Sequence, residues 1–320
     1  MEQGDPAAAR KTYEESLAAT KEIGDKKSHA MALNNLAGVL RNQLDLPGSR
    51  RMLAEAMTDF QEIGDKRGVV GTLENTGIIL VDEGKLDEAR KKQEQALAIA
   101  QEMGNKSLTA YALYLLGEVY AHQGNLAAAR KSNEQALQIR NELGEPRTIG
   151  ETQLSLADLA IEEKQYSNAE STAREAAQQL EKLNNVDDAT VGYLILARAL
   201  AAQGKMADAQ TAIAKASDLT QKGGDTNVRL RVAIESALLR ASSGVPADIS
   251  EAKKSIQSAL ADATRQNLTG IQLEARLAQG EVEMKSGDRT NGRAHLAFLQ
   301  KDATSKGFLL IARKAAAARQ

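Results

Sequence analysis

The sequence predicts an all-α chain, a solenoid of tandem antiparallel helix pairs, and three observations carry that prediction. A glycine-centred phrase returns every 40 residues, as EIGDK at 22–26 and 62–66, EMGNK at 102–106 and ELGEP at 142–146. A period of this size is the mark of a chain built by stacking one supersecondary unit. Small residues keep the same step, at Ala37, Gly77, Gly117, Ala157, Ala197 and Ala237. Finally, Ala, Leu, Glu, Lys, Arg and Gln dominate while Pro occurs only 4 times in 320 residues, a composition of good helix formers with few breakers.

The punctuation defines each element in turn. Asp5 followed by Pro6 has the signature of an N-cap and a first helical position. It opens an orphan helix over 5–23. Gly24, Gly64, Gly104 and Gly144 each end a helix, because glycine takes the left-handed position past a helix without the Cβ clash that costs other residues roughly 1–2 kcal/mol. Asp25 and Asp65 then cap the helix that follows by accepting a backbone N–H. A second glycine column, Gly4, Gly84, Gly124, Gly204 and Gly244, marks the turn inside each repeat, with Leu44 and Lys164 as exceptions. Helix pairs are therefore expected over about 26–64, 66–104, 106–144, 146–184 and 186–224. After Gly244 the register slips by three: GVPADIS holds the insertion, and the next small and turn residues are Gly280 and Gly287. Two further pairs follow over about 226–267 and 268–307, and FLLIARKAAAARQ forms a terminal helix over 308–319. The count is sixteen helices in one domain, 1–320. Further small columns, Ala9, Ala89, Ala129, Ala169, Ala209 with Ser49 in the gap, and Ala56, Ala96, Ala136, Ala176, Ala216, mark where paired helices approach closely.

Composition and motifs exclude several function classes. With 41 basic and 43 acidic residues, the net charge of −2 supplies no field for steering onto nucleic acid or an anionic membrane. Three Phe and six Tyr are too few for a base-stacking track. No run reaches the roughly 18 apolar residues of a membrane span, and MEQGDPAAAR lacks the form of a signal peptide. A chain without Cys fits a reducing compartment, so a cytoplasmic protein is expected. His29, His122 and His295 fall in different repeats with no second ligand at metal spacing and read as solvent-facing helix residues. No phosphate-cradling GxxxxGK or GxGxxG loop is present. Neither a catalytic centre, a metal nor a cofactor is expected. Arg10-Lys11, Arg50-Arg51, Arg90-Lys91 and Arg130-Lys131 form a basic ladder, but Glu14, Glu94 and Glu134 stand four residues on, so it reads as a solvated face with weak ion pairs.

The segments ALNNLAGVLRNQLDLPGSRRMLAEAM and YALYLLGEVYAHQGNLAAARKSNEQAL place a Leu-small pair, a later Leu or Tyr (Leu40, Leu80, Tyr120), a turn glycine and two helix-B alanines in the order of the tetratricopeptide repeat, and nearly the whole chain resembles that family. The repeat is longer than the usual length of about 34 residues, and the closing proline and early helix-A aromatic are missing. The resemblance implies a right-handed superhelix with a concave groove that binds protein or peptide. The IGD joints and the closing GFLLIARKAAAA also resemble C-terminal repeat arrays of bacterial multidomain signalling proteins, including eukaryotic-type serine/threonine kinases and winged-helix regulators.

In that family the residues three before and one after the small column face the groove. Here they are Asn34, Glu74, Tyr114, Leu154, Leu194 and Ile234, with Gly38, Ile78, Glu118, Asp158, Arg198 and Leu238. The candidate peptide site is Asn34, Asn35, Glu74, Asn75, Tyr114, Glu118, His122, Asp158, Leu154, Leu194 and Ile234. Asn side chains donate and accept at once, which suits gripping a peptide backbone, although they equally suit a hydrated helix surface. The apolar column Leu154, Leu194 and Ile234 either seats partner side chains or belongs to the core between repeats. The leading reading is a non-catalytic protein-interaction scaffold. The alternative is a regulatory or sensor arm of a larger bacterial kinase or transcriptional regulator. Since the orphan helix lacks the first helix of its pair, Ala9, Tyr13 and Leu17 are expected to form an exposed apolar strip open to self-association.

Overall fold

A computed structural model describes residues 6–221 and 225–320, so the expected roles of Gly4 and Asp5 lie outside the described residues. Among the described residues there are sixteen helices and no strand. They form an all-α helical-repeat solenoid divided into two compact units, the first ending at Leu116 and the second starting at Gly117. Unit 1 holds α1 (Pro6–Ile23), α2 (Lys26–Asn42), α3 (Leu46–Glu62), α4 (Lys66–Asp82), α5 (Leu86–Glu102) and most of α6 (Lys106–His122). Unit 2 continues with α7 (Leu126–Leu143), α8 (Pro146–Glu162), α9 (Tyr166–Lys182), α10 (Val186–Ala202), α11 (Met206–Thr220), α12 (Thr226–Ala241), α13 (Pro246–Arg265), α14 (Thr269–Lys285), α15 (Arg289–Ser305) and α16 (Leu309–Ala318). The three extra residues of the sixth pair are taken up by α13, a 20-residue helix where its counterparts have 15 to 18.

The joints follow from their residues. Gly64 sits at φ 71°, the Asp65 N–H donates to the Phe60 carbonyl at 2.9 Å, and the Asp65 carboxylate accepts the Gly68 N–H at 3.0 Å. A helix stop and a helix start are thus fused in two residues. The same bonds recur at Gly24 and Asp25, where the carboxylate accepts the Ser28 N–H at 3.0 Å. The turn-column exceptions keep the geometry without the glycine: Leu44 stands at φ 67° and Lys164 at φ 62°.

Packing is between neighbours. Consecutive helices pack on one another from α1 to α5 and from α7 to α16, and first helices also pack on first helices, α2 on α4, α8 on α10, α10 on α12 and α12 on α14. The small columns permit this. Ala56, Ala96, Ala136, Ala176 and Ala216 are all fully buried. At Gly77 a Cβ would lie 2.2 Å from the Gln93 amide, and at Gly280 2.5 Å from the Leu296 side chain, so glycine stands where the partner side chain is large. The orphan helix is not left bare. Leu17 packs on the cluster of Ala30, Leu33, Ala56 and Phe60, and Ala9 and Tyr13 are half-buried, which corrects the expected exposed strip. No described helix is long and apolar enough to cross a membrane.

Candidate functional site

Each unit presents its own set of polar first-helix residues. In unit 1, Asn34 of α2 and Asn75 of α4 are half-buried and joined, the Asn75 Nδ2 donating to the Asn34 Oδ1 at 3.2 Å. Asn35 beside them is exposed. Further along the same helices, Arg41 of α2 donates to Asp82 of α4 at 2.6 Å. The rings of Tyr111 and Tyr114 on α6 stack with centroids 6.3 Å apart. Glu74 departs from expectation. It is only 3 % exposed, its Oε1 has no hydrogen-bond partner, and burial pushes its carboxyl up to about 8, so it belongs to the packing of α4 and does not line an open groove.

Unit 2 gathers charge. Asp158 and Glu162 of α8, Arg198 of α10, Arg231 and Glu235 of α12, and Glu274 and Glu281 of α14 are all half-buried, and they face one shared space. Arg198 bridges Asp158 and Glu162, the latter at 3.2 Å. Arg231 grips Glu274 through two bonds of 3.0 Å, the bidentate fork that guanidinium and carboxylate favour. Glu118 of α6 accepts from the Ser155 hydroxyl at 2.5 Å. From α16, Lys314 reaches Glu162, and the Arg313 guanidinium donates to the Gly124 carbonyl at 2.7 Å. Phe308, fully buried, meets the His122 ring edge-on at 5.5 Å.

The protonation chemistry follows from crowding and sign. Burial works to raise the Asp158 carboxyl, yet Arg198, Lys314 and Arg231 together hold it below its ordinary range. Arg198 is held firmly charged, chiefly by Asp158, and Arg231 chiefly by Glu274. Burial raises Glu235 and Glu281 above the ordinary carboxylate range, and the charge of Glu281 raises Glu235 further, against the pull of Arg198, Lys285 and Lys314 on both. Among the described residues neither carboxylate receives a hydrogen bond. His122 is pushed down by burial and by Arg231.

The predicted residues therefore separate into two groups. Asn34, Asn35, Asn75, Tyr114, Glu118, His122 and Asp158 retain exposed or half-buried side chains on first helices. Leu154, Leu194 and Ile234 are 3 %, 6 % and 5 % exposed and packed between helices, Leu154 and Leu194 within one core cluster, which corrects their place in a groove. The expectation of solvent-facing histidines holds for His295, which is exposed with Glu283 2.7 Å away, and needs correction for His29, half-buried 2.7 Å from Asp59, and for His122, also half-buried. Missing from the predicted set were Glu162, Arg231, Glu235, Glu274, Glu281 and Lys314. Carrying the column one after the small residue a single pair further, past Gly280, would have found Glu281. The basic ladder pairs as read: Arg10 with Glu14 at 2.8 Å and Arg90 with Glu94 at 3.0 Å, while Arg130 adds Glu163 at 2.6 Å. No cluster of three or more potential metal ligands occurs among the described residues.

Known proteins supply the family. The MalT-like TPR region matches residues 69–308, and a tetratricopeptide repeat matches 28–102. No curated protein sequence matches the chain. Among solved structures, a Rap protein complexed with Competence and Sporulation Factor is similar over 98% of this chain and 96% of its own, with TM-score 0.64 and 12% identity. NprR in complex with its cognate peptide NprX covers 98% and 96%, with TM-score 0.63 and 12% identity. A signal transduction ATPase with a tetratricopeptide repeat sensor from Pyrococcus horikoshii covers 94% of this chain and 48% of its own, with TM-score 0.50 and 13% identity. At such identities these likenesses concern the fold. The family profile spans three quarters of the sequence, and the chain belongs to the MalT-like tetratricopeptide-repeat family.

Proposed function

We propose that the protein is a non-catalytic scaffold that captures a peptide or protein segment on the polar faces of its first helices. The observation that carries this reading is the charged face of unit 2, where six carboxylates and four cations from six helices crowd one space and two of the carboxylates, Glu235 and Glu281, accept no hydrogen bond. Leaving charge half-buried and unpaired costs stability, and a bound segment would recover that cost. The Asn34–Asn75 pair of unit 1 keeps further donors and acceptors for a peptide backbone. Two similar folds, the Rap protein and NprR, hold Competence and Sporulation Factor and a cognate peptide in their crystal structures, which supports a peptide as the ligand class.

A peptide-display selection against the full chain tests the reading. Selected peptides are expected to change at least tenfold in affinity with Arg198→Ala or to lose as much with Asn34→Ala plus Asn75→Ala, and to bind Arg50→Ala plus Arg90→Ala unchanged. Peptides that depend only on Arg50 and Arg90, with steep salt dependence, would overturn it.

A second reading, a sensor arm of a larger signalling protein, draws support from the similar repeat sensor of the signal transduction ATPase, of which this chain covers 48%. Its test is whether the source gene encodes an effector domain whose activity changes when a selected peptide binds.

A further inference from the structure

The charged face of unit 2 already holds a cation that sequence neighbours do not supply. Lys314 arrives from α16, 152 positions beyond its partner Glu162, and its ammonium lies within electrostatic reach of Asp158, Glu235 and Glu281 as well. It is not placed there by its own helix alone. Ile311, Ala312 and Ala315 bury the apolar side of α16, Phe308 packs on His122, and Arg313 donates to the Gly124 carbonyl just past the C-terminal end of α6, where the helix dipole favours positive charge. The segment is therefore an amphipathic helix with adjacent basic residues, seated on an acidic surface.

The charge sum of that surface is not closed by Lys314. Glu118, Asp158, Glu162, Glu235, Glu274 and Glu281 stand against Arg198, Arg231, Lys285 and Lys314, an excess of two carboxylates. Arg231 is committed to Glu274 and Arg198 to Asp158 and Glu162. The two carboxylates left without a donor, Glu235 and Glu281, come from adjacent first helices, α12 and α14.

We propose that this face is a receptor for a basic peptide segment, whose Lys or Arg side chains pair with Glu235 and Glu281, and that Lys314 is an internal stand-in competing for the same acidic surface. The proposal rests on the peptide-capture reading and names the chemistry of the captured segment. A partner rich in acidic residues would meet like charge here and is disfavoured by it.

The test uses the full-length chain and two fluorescent probes of equal length, hexalysine and hexaglutamate, read by anisotropy at low and at physiological salt. Hexalysine is expected to bind the parent and hexaglutamate not to. Lys314→Ala removes the resident cation and should tighten hexalysine about tenfold, whereas Glu235→Gln plus Glu281→Gln, which keeps side-chain shape, should weaken it at least tenfold in both backgrounds. Circular dichroism confirms that each variant keeps the helicity of the parent. Equal hexalysine binding by all variants, binding of hexaglutamate as tight as hexalysine, or no hexalysine binding even to Lys314→Ala would each overturn the proposal. A display-selected peptide that lacks Lys and Arg, depends on Arg198 and ignores Glu235→Gln plus Glu281→Gln would also overturn it, while leaving peptide capture standing.

Discussion

At Lys164 an exposed lysine holds φ 62° because the turn between α8 and α9 demands it, and the same turn is made by glycine at Gly84, Gly124 and Gly204. The left-handed position costs a side chain roughly 1–2 kcal/mol, and glycine returns part of that gain through the entropy of its unfolded chain, roughly 0.5–1 kcal/mol. Lys164→Gly should therefore raise stability by about 0.5–1 kcal/mol in urea unfolding, and an unchanged or lower midpoint would show the turn to be unstrained. Glu74 makes the second prediction. Its carboxyl titrates near 8 in the folded chain against 4.5 ordinarily, so between these values the folded protein keeps a proton that the unfolded chain gives up. Stability must then fall as pH rises from 4.5 to 8 and level off above, because the unfolded state binds fewer protons across that window. Glu74→Gln keeps the shape and removes the charge. It should flatten this slope and stabilise the protein at pH 8 by roughly 3–5 kcal/mol, since each tenfold change in proton affinity is worth about 1.4 kcal/mol. Parallel pH profiles for the parent and the variant would contradict the assignment.

At the scale of elements, the joint between α7 and α8 rests on a residue that the repeat pattern does not announce. Arg140 is 2 % exposed and donates to the Thr148 carbonyl at 2.7 Å and to the Thr152 hydroxyl at 2.5 Å, with Glu151 at 3.7 Å. One repeat earlier and later the same register holds Ala100 and Leu180, both fully buried. Arg140→Ala should cost about 3–5 kcal/mol, the usual effect of leaving a buried partner uncompensated, measured by thermal melting; a loss below about 1 kcal/mol would mean that the polar joint is dispensable. The boundaries of the helices were legible because stop and start signals are local: the left-handed glycine and the capping aspartate act on the backbone immediately around them. The expected pair over 26–64 became α2 and α3 at Lys26–Asn42 and Leu46–Glu62. The polar faces were only partly legible. Leu154, Leu194 and Glu74 share a column with Asn34, and whether that column meets a neighbouring helix or open space depends on how first helices pack on one another, which a single repeat does not encode. Arg231, Glu235 and Glu274 escaped for the same reason, since they lie outside the two columns that carried the reading.

For the whole molecule, a chain of nearest-neighbour interfaces behaves as a one-dimensional array, and its energy is close to a sum over repeats and their joints. Such an array frays from either end without regard to the other. In unit 2 the guanidinium of Arg313 touches the carbonyl of Gly124 across 189 positions of sequence, and the ammonium of Lys314 touches Glu162 across 152. Closing so long a span carries an entropic cost that is met only after the intervening helices have formed. This clasp should therefore form last on refolding and open first on unfolding, ahead of global melting. Hydrogen exchange checks it: the amides of α16 and of the Gly124 turn should lose protection together, and Arg313→Ala with Lys314→Ala should speed exchange at both without touching α10 and α11. Exchange that quickens at α16 alone would mean that the two ends are not coupled. Coupled ends make the terminal helix a tension element, in the sense that strain applied at residue 313 is delivered to residue 124 without passing through the repeats between them.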